Sequence, residues 1–599
     1  MKKYKVIALS ALIAAGFTSC DLTEKPTSYY EKDTYFETMD QAKMSVVGIY
    51  DCLAIDKHYG QYEMAMPASD DTYYIQGTGT DNTRRDIAHY MVKPTNTWIA
   101  SIWEYKYLGI DRANFSIAGI EQMTGYEEDS NLKELVAQAR FLRAFLAFDL
   151  IKYWGDVPFK TTYTAGYEES FKGRVSREEI YDQIIVDLNF AKENLQKDNA
   201  SLSPEVPSQG AAHALLMRVY LQRAGYSLQQ DGTLTRPDET KRKEYFNAVI
   251  AEWTAFQNKG NHGFYTGGFE QLFRGYSEGI LNSQESLWEI AFNPTGAGYK
   301  DNAGTWATYN GPAVEAPGKN APADAWGRAN AFFRVLPAWK NFFEEGDERR
   351  DVMVCTYQYK WNANAGKHDK VENAKLTDWY PGKWRREWMP GGFVDPNNTG
   401  VNYCPLRFAD VVLMAAEAYN ETGNTPEAWK LLNMVRERAK ATPITDANYS
   451  SLMKAPQVYD LPYIQDGDAA GKFRTALYWE RGFELAFEGQ RKYDLLRWGI
   501  LGDALKFFQG NMDKTLKGKY VAGDKIYCMK RFLLFCCAVA TLQGFSSCSS
   551  SQPNTEYGWL KNAIDTSVQQ LEETVADVGD SVLLPRSIWT GYDMDFLCR

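Results

Sequence analysis

The chain has 599 residues, a formal net charge of −11 and 44% apolar residues, enough to fill a sizeable core. The acidic balance, with Lys and Arg scattered rather than clustered, excludes the basic footprint of a nucleic-acid-binding protein. Nine cysteines and five histidines, without CxxC, HxH or HExxH spacing, exclude a zinc site and a disulfide framework, and no cofactor or metal is expected.

The chain opens on MKKYKVIALSALIAAGFTSC, residues 1–20. A Met, basic residues, an apolar run too short to span a bilayer, small residues and a cysteine form the layout of a bacterial lipoprotein signal. Cys20 is the expected lipidation site, freed by cleavage and followed by Asp21. The same layout recurs at 529–548 as MKRFLLFCCAVATLQGFSSC. Such a signal works only at a free N-terminus, so the internal copy implies two joined reading frames, 1–528 and 529–599. No other segment carries 18 consecutive apolar residues, so the body is expected to be held to a membrane by its lipid alone.

After a polar tether, LTEKPTSYYEKD, apolar spacing predicts helices over 38–56, 98–121, 131–153, 176–196 and 207–228. A second set is predicted over 407–422, 425–440 and 474–498. Short polar turns join several in pairs, and Ser176 with Glu179 reads as a capping box. Ala211, Ala212, Ala214 and Gly225 allow close helix approach. The fold class is therefore mostly α, a TPR-like scaffold of helical pairs with irregular repeat spacing. Between about 258 and 400 the chain turns to Gly, Asn, Pro and aromatic residues, which predicts an ordered loop-rich insertion on the helices. Residues 21–528 read as one domain.

No GxSxG elbow, phosphate loop or dinucleotide fingerprint is present, and no catalytic residues are assigned. The 17 Trp and 38 Tyr belong first to the core, but their excess suits contact surfaces that stack on sugar rings. Asp70 and Asp71, beside Tyr73 and Tyr74, read as a solvated loop, with ligand contact the alternative.

The segment 137–159, AQARFLRAFLAFDLIKYWGDVPF, resembles the signature helix of the SusD/RagB family of Bacteroidetes outer-membrane lipoproteins. Further blocks follow in the family's order: SREEIYDQIIVDLNFA with GAAHALLMRVYLQRAGY, NSQESLWEIAF, LRFADVVLMAAEAYNE with AWKLLNMVRERA, and YWERGFELAFEGQRKYDLLRWG. GDERRD at 346–351 and GKWRRE at 382–387 also look like family features. These blocks cover nearly the whole of residues 20–499. Their physical content is scaffold: Glu480, Glu484, Glu488, Arg481, Arg491 and Arg497 are spaced to pair between helices, while Phe483, Leu485, Phe487 and Leu495 fill the core. Arg143 and Asp156 are read the same way.

The resemblance implies a non-catalytic, cell-surface glycan-binding lipoprotein of the outer membrane. It would sit as a lid on a SusC-like TonB-dependent transporter and capture oligosaccharides for import. Glycan-binding candidates lie outside the scaffold blocks: Tyr73, Tyr74, Arg84, Asn96 and Trp98, then Tyr299, Trp306, Tyr309 and Trp326. The chain departs from the family after Trp498, where the usual C-terminal segment gives way to the second signal. Residues 549–599 end in SVLLPRSIWTGYDMDFLCR, which faintly resembles the entry segment of unsaturated glucuronyl hydrolases of glycoside hydrolase family 88 and stops before their catalytic carboxylates. That neighbour hints at a uronic-acid-containing ligand. Two other readings stay open: a peptide-binding TPR-like adaptor, and a bifunctional binder fused to a uronyl hydrolase whose catalytic part lies beyond this chain.

Overall fold

The computed structural model describes residues 35–506, apart from 62, 64–68, 75–79, 260, 294–303, 336–337, 374–377, 394 and 454–466. Both lipoprotein signals, Cys20, Tyr299 and residues 529–599 lie outside the described residues.

The first half is a run of paired helices. α1 (Met39–Leu53) leads to the three-residue strand β1 (Thr72–Tyr74) and the short α2 (Arg84–Ala88). Then come α3 (Thr97–Ile120), α4 (Ser130–Trp154), α5 (Arg177–Asn194), α6 (Gln209–Ala224) and α7 (Glu239–Gln257). Each packs on the next from α3 to α7, and α1 packs on α3. Polar caps set the starts. Thr38 and Gln41 form a reciprocal capping box on α1, and Asn96, Asp129, Ser208 and Asp238 each accept a first-turn N–H. On α5 the Ser176 hydroxyl accepts from Glu179 N–H (3.3 Å) and donates to the Glu179 carboxylate (3.1 Å). α4 is buried along most of its length because α3 and α5 cover it from two sides. Small residues permit the approach: a Cβ at Gly109 would fall 2.5 Å from Leu146, and one at Gly225 2.5 Å from the Arg497 carbonyl oxygen.

α7 is absent from the sequence expectation. Its opening ETKRKE is charged and its apolar stripe (Phe246, Val249, Trp253, Phe256) is sparse, so the packing on α6 supplies what the local pattern lacks.

The middle of the chain carries α8 (Phe269–Glu278), β2 (Ser286–Ile290), α9 (Trp306–Tyr309), β3 (Phe333–Val335), α10 (Arg349–Met353) and a hairpin of β4 (Tyr357–Asn362) and β5 (Lys367–Glu372). β3 pairs antiparallel with β1, placing Tyr74 opposite Phe333, so the insertion is stitched to the N-terminal region. β6 (Tyr403–Arg407) pairs with β2 and runs straight into α11 (Phe408–Glu421), followed by α12 (Thr425–Arg438), α13 (Ala469–Leu485) and α14 (Arg491–Arg497). α11 packs on α7, α12 and α13 and joins the two halves. The single helix expected over 474–498 is two, broken where Phe487 and Gly489 take φ of 69° and 83°; the Phe487 N–H leaves the helical ladder to donate to Asp71 (3.0 Å).

The charged residues of the last block are buried and paired. Arg407 donates to Glu484 (2.7 Å), Glu488 (2.6 Å) and Glu285 (3.1 Å). Arg349, from GDERRD, reaches Asp347, Glu480 and Glu484, and Lys383, from GKWRRE, donates to Glu488 and to the Glu484 and Ala486 carbonyls. Burial opposes ionisation of Glu484, but Arg438, Arg407 and Arg349 hold its carboxyl at about 2. Arg143 pairs with Asp187 (2.6 Å), and Asp156 accepts from the Arg177 N–H (2.9 Å).

Candidate functional site

Asp70 and Asp71 form neither a solvated loop nor a ligand contact. They are 3% and 2% exposed. Arg491 grips Asp70 through two bonds (2.9 and 3.0 Å) and the Tyr478 hydroxyl donates to it (2.7 Å). This anchor fixes the entry of β1 against α13 and α14, and with it the residues that follow.

From there the chain builds a cleft around one guanidinium. The β1–β3 ladder sets Tyr74 beside Phe332 and Phe333, at ring-centroid distances of 5.6 and 5.7 Å. Ala331 takes a left-handed φ of 50° and donates its N–H to the Thr308 carbonyl (2.9 Å), a conformation that costs a non-glycine residue about 1–2 kcal/mol. The result is that Phe332 lies against Tyr309 at 4.5 Å. On the other side, Asn82 (φ 55°) ties α2 to the start of α3 by donating to the Thr95 carbonyl (2.8 Å). Asn96 then caps α3, its side-chain oxygen accepting from the Trp98 and Ile99 N–H groups (3.0 and 3.1 Å).

Arg84 enters this frame from the first turn of α2. Its guanidinium carbon sits 4.1 Å from the Phe332 ring centre, 4.8 Å from Trp98 and 5.4 Å from Tyr309. Its Nε donates to the Tyr74 hydroxyl (2.8 Å). Arg84, Trp98 and Tyr309 are half-buried, so the group opens to solvent. Burial raises the Tyr309 hydroxyl above its ordinary pKa, with Arg84 opposing.

Four of the residues singled out from sequence therefore converge: Arg84, Trp98, Tyr309 and, through its hydroxyl, Tyr74. The structure corrects several of the expected roles, that of the Tyr74 ring included. Tyr73 and Tyr74 are each 1% exposed and cannot offer a ring face, because both sides of β1 are covered. Asn96 is also 1% exposed and serves as a helix cap. Trp306, expected on the surface, is core: it donates Nε1–H to the Val401 carbonyl (3.1 Å) and packs on Trp384 (4.3 Å) and Tyr403 (5.2 Å).

Trp326 belongs to a separate aromatic group on the hairpin. It stacks on His368 (5.5 Å, interplanar 17°) and meets Tyr359 edge-on (5.0 Å), while Trp361 meets His368 from its own strand position directly opposite. Phe332, Tyr359, Trp361 and His368 escaped the sequence reading. The alternation of Tyr357, Tyr359 and Trp361 was the available signal, since residues two apart in a strand share a face.

Flat π faces around a guanidinium can stack on an apolar ring face and donate hydrogen bonds at its edge. Among the described residues no cluster of His, Cys, Asp and Glu could hold a metal ion, and no helix is long and apolar enough to cross a membrane.

Comparison with known proteins gives matches along most of the chain. Residues 284–533 match the model of the SusD family, and residues 22–221 match one described as starch-binding, associating with the outer membrane. Residues 529–599 match a domain of unknown function, which lends no support to a glycoside hydrolase family 88 fragment. SusD-like protein P2 of Formosa agariphila is 25% identical over 505 residues, 83% of this chain and 91% of that protein. A SusD homologue of Bacteroides thetaiotaomicron superposes with a TM-score of 0.67 at 26% identity, covering 84% of this chain and 95% of that one. A laminarin-binding SusD-like protein has a TM-score of 0.57 at 22% identity, covering 82% and 96%.

Proposed function

The body of this chain belongs to the SusD/RagB family, and on that premise we propose that it captures oligosaccharides at the outer-membrane surface and delivers them to a SusC-like TonB-dependent transporter. The observation that carries the reading is the half-buried trio of Trp98, Tyr309 and Arg84, open to solvent on a scaffold in which buried arginines such as Arg407 and Arg491 are spent on carboxylates. Aromatic rings take the apolar face of a pyranose and the guanidinium takes its hydroxyls. Lipidation at Cys20 would hold the protein at the membrane beside its partner. No catalytic step is assigned.

Affinity electrophoresis of the full chain against host and plant polysaccharides tests the reading. Retardation by a glycan class, abolished by Trp98→Ala and weakened by Tyr309→Ala, is expected. A folded protein that binds no glycan, or one whose binding ignores both substitutions, would sink it. Residues 549–599 are proposed as the start of a neighbouring uronyl hydrolase; intact-mass measurement of the native protein, expected to show two separate polypeptides, tests the join.

A further inference from the structure

The net charge of the chain is −11, and many of its buried arginines are matched to carboxylates, Arg143 to Asp187, Arg407 to Glu484, Arg491 to Asp70 and Arg497 to Glu417, while Arg334 and Arg385 are engaged by backbone carbonyls and a hydroxyl. Around the cleft this pattern reverses. Arg84 spends its Nε on the Tyr74 hydroxyl, and its two terminal nitrogens meet no acceptor among the described residues. Arg328, exposed, donates Nε to the Asn397 side chain (3.2 Å) and pairs with no carboxylate among them. Arg386, only 2% exposed, reaches the Asn398 carbonyl (3.3 Å) and the Met389 sulfur (3.8 Å), while its Nε has no partner there. The 396–398 turn gathers these groups. Its Pro396 carbonyl accepts from the Arg328 N–H (2.7 Å), and its Asn397 carbonyl accepts from the Thr308 hydroxyl (3.0 Å), next to Tyr309.

Nearby acids are already engaged. Asp81 pairs with Arg85 (3.5 Å), Asp86 accepts from the Asp81 and Asn82 N–H groups, Asp56 accepts from Thr305, and Asp395 accepts from the Asn397 N–H. These carboxylates keep their charge, but among the described residues none of them pairs with Arg84, whose terminal nitrogens stay available to an anion from outside.

Resting on the glycan-capture reading, we propose that this cleft selects an acidic sugar, whose oxyanion, a uronate carboxylate or a sulfate ester, sits on the terminal nitrogens of Arg84. The guanidinium fork matches a planar or tetrahedral oxyanion through two parallel bonds. The three aromatic faces behind it strip water from the fork and hold it in place. Arg328 and Arg386 bias the potential without touching the anion.

Calorimetric titration of the full chain with three probes tests the proposal: hyaluronan oligosaccharides (carboxylate only), κ-carrageenan oligosaccharides (sulfate ester only) and laminarin oligosaccharides (neutral). At least one acidic probe is expected to bind roughly 10–100-fold tighter than laminarin at low salt, with the margin shrinking as salt screens the charge. Which acidic probe wins identifies the oxyanion. Arg84→Gln is expected to weaken laminarin as well, through the lost hydroxyl contact, but to weaken the favoured acidic probe roughly tenfold more, so that the margin collapses, and Arg84→Lys to keep the salt dependence with an intermediate loss. Laminarin binding at least as tightly as both acidic probes, or Arg84→Gln weakening all three alike, would overturn the charge assignment and leave glycan capture standing. A folded protein that binds none of the three would take the glycan reading down with it.

Discussion

Replacing Arg407 by Met removes the cation at the centre of the buried network while roughly keeping its volume. Arg407 is 2% exposed and donates to three carboxylates and one carbonyl: Glu488 at 2.6 and 2.8 Å, Glu484 at 2.7 Å, Glu285 at 3.1 Å and the Glu484 carbonyl at 2.7 Å. Breaking a buried ionic group from one side costs ~3–5 kcal/mol, because the remaining charges stay buried. Unfolding entropy near 2.1 cal/mol/K per residue over the roughly 430 described residues converts this to a fall in Tm of about 3–6 °C. The pH dependence carries the sharper signature. In the native protein Glu484 lies at about 2, below its unfolded value, so its contribution is present above about pH 4.5 and is lost as pH falls toward about 2. Without Arg407 the Glu484 carboxyl is held down only by the remaining cations and accepts its proton at higher pH in the folded state, so the variant's deficit should narrow as pH is lowered from neutral through about 4.5 toward about 2. Differential scanning fluorimetry across that range measures both. A Tm within about 1 °C of wild type at neutral pH, or a deficit that widens on acidification, would refute the account of the network.

Glu289 is 2% exposed, accepts from Asn402 (3.0 Å) through one oxygen and has no partner for the other among the described residues; burial raises its carboxyl to about 7. A raised acid favours the fold in its protonated form, so stability should fall as pH rises from about 4.5 to about 7, by at most ~3 kcal/mol. Glu289→Gln should therefore unfold at a higher temperature than wild type at pH 8 and show a flatter melting profile against pH; equal slopes would exclude this. Trp98→Ala and Trp306→Ala should separate by readout. The first should lose glycan retardation with Tm nearly unchanged, and the second should lose ~3–5 kcal/mol of stability, with circular dichroism melts distinguishing them. Gly225→Ala would place a methyl 2.5 Å from the Arg497 carbonyl oxygen, and a loss of about 1–3 kcal/mol in urea midpoint experiments is expected.

The helical scaffold was legible because its determinants are local. Apolar spacing and first-turn caps such as Ser176 and Asn96 act within a few residues, and α3 to α6 lie within a few residues of where the spacing placed them. α7 was missed, and the break at Phe487 with it, because both depend on partners outside their own segments: α6 and the distant α11 in one case and Asp71 in the other. The pairing roles of Glu484, Arg491 and Arg497 were also readable, since spaced opposite charges within apolar blocks have no other low-energy arrangement.

Which aromatic ring meets solvent is a different kind of fact. Trp98 and Trp306 are the same residue beside similar neighbours, yet one opens on a cleft and the other is sealed by Trp384, Tyr403 and the Val401 carbonyl. No local pattern encodes that difference, because exposure is set by what the rest of the chain places on top. The same holds for Phe332, which joins the cleft only because β3 pairs with β1 across more than two hundred residues and Ala331 turns its backbone beneath Tyr309. Periodicity and caps determined the frame; the assembly of the cleft around Arg84 was decided by long-range strand pairing and packing, whose energy no short stretch of sequence contains.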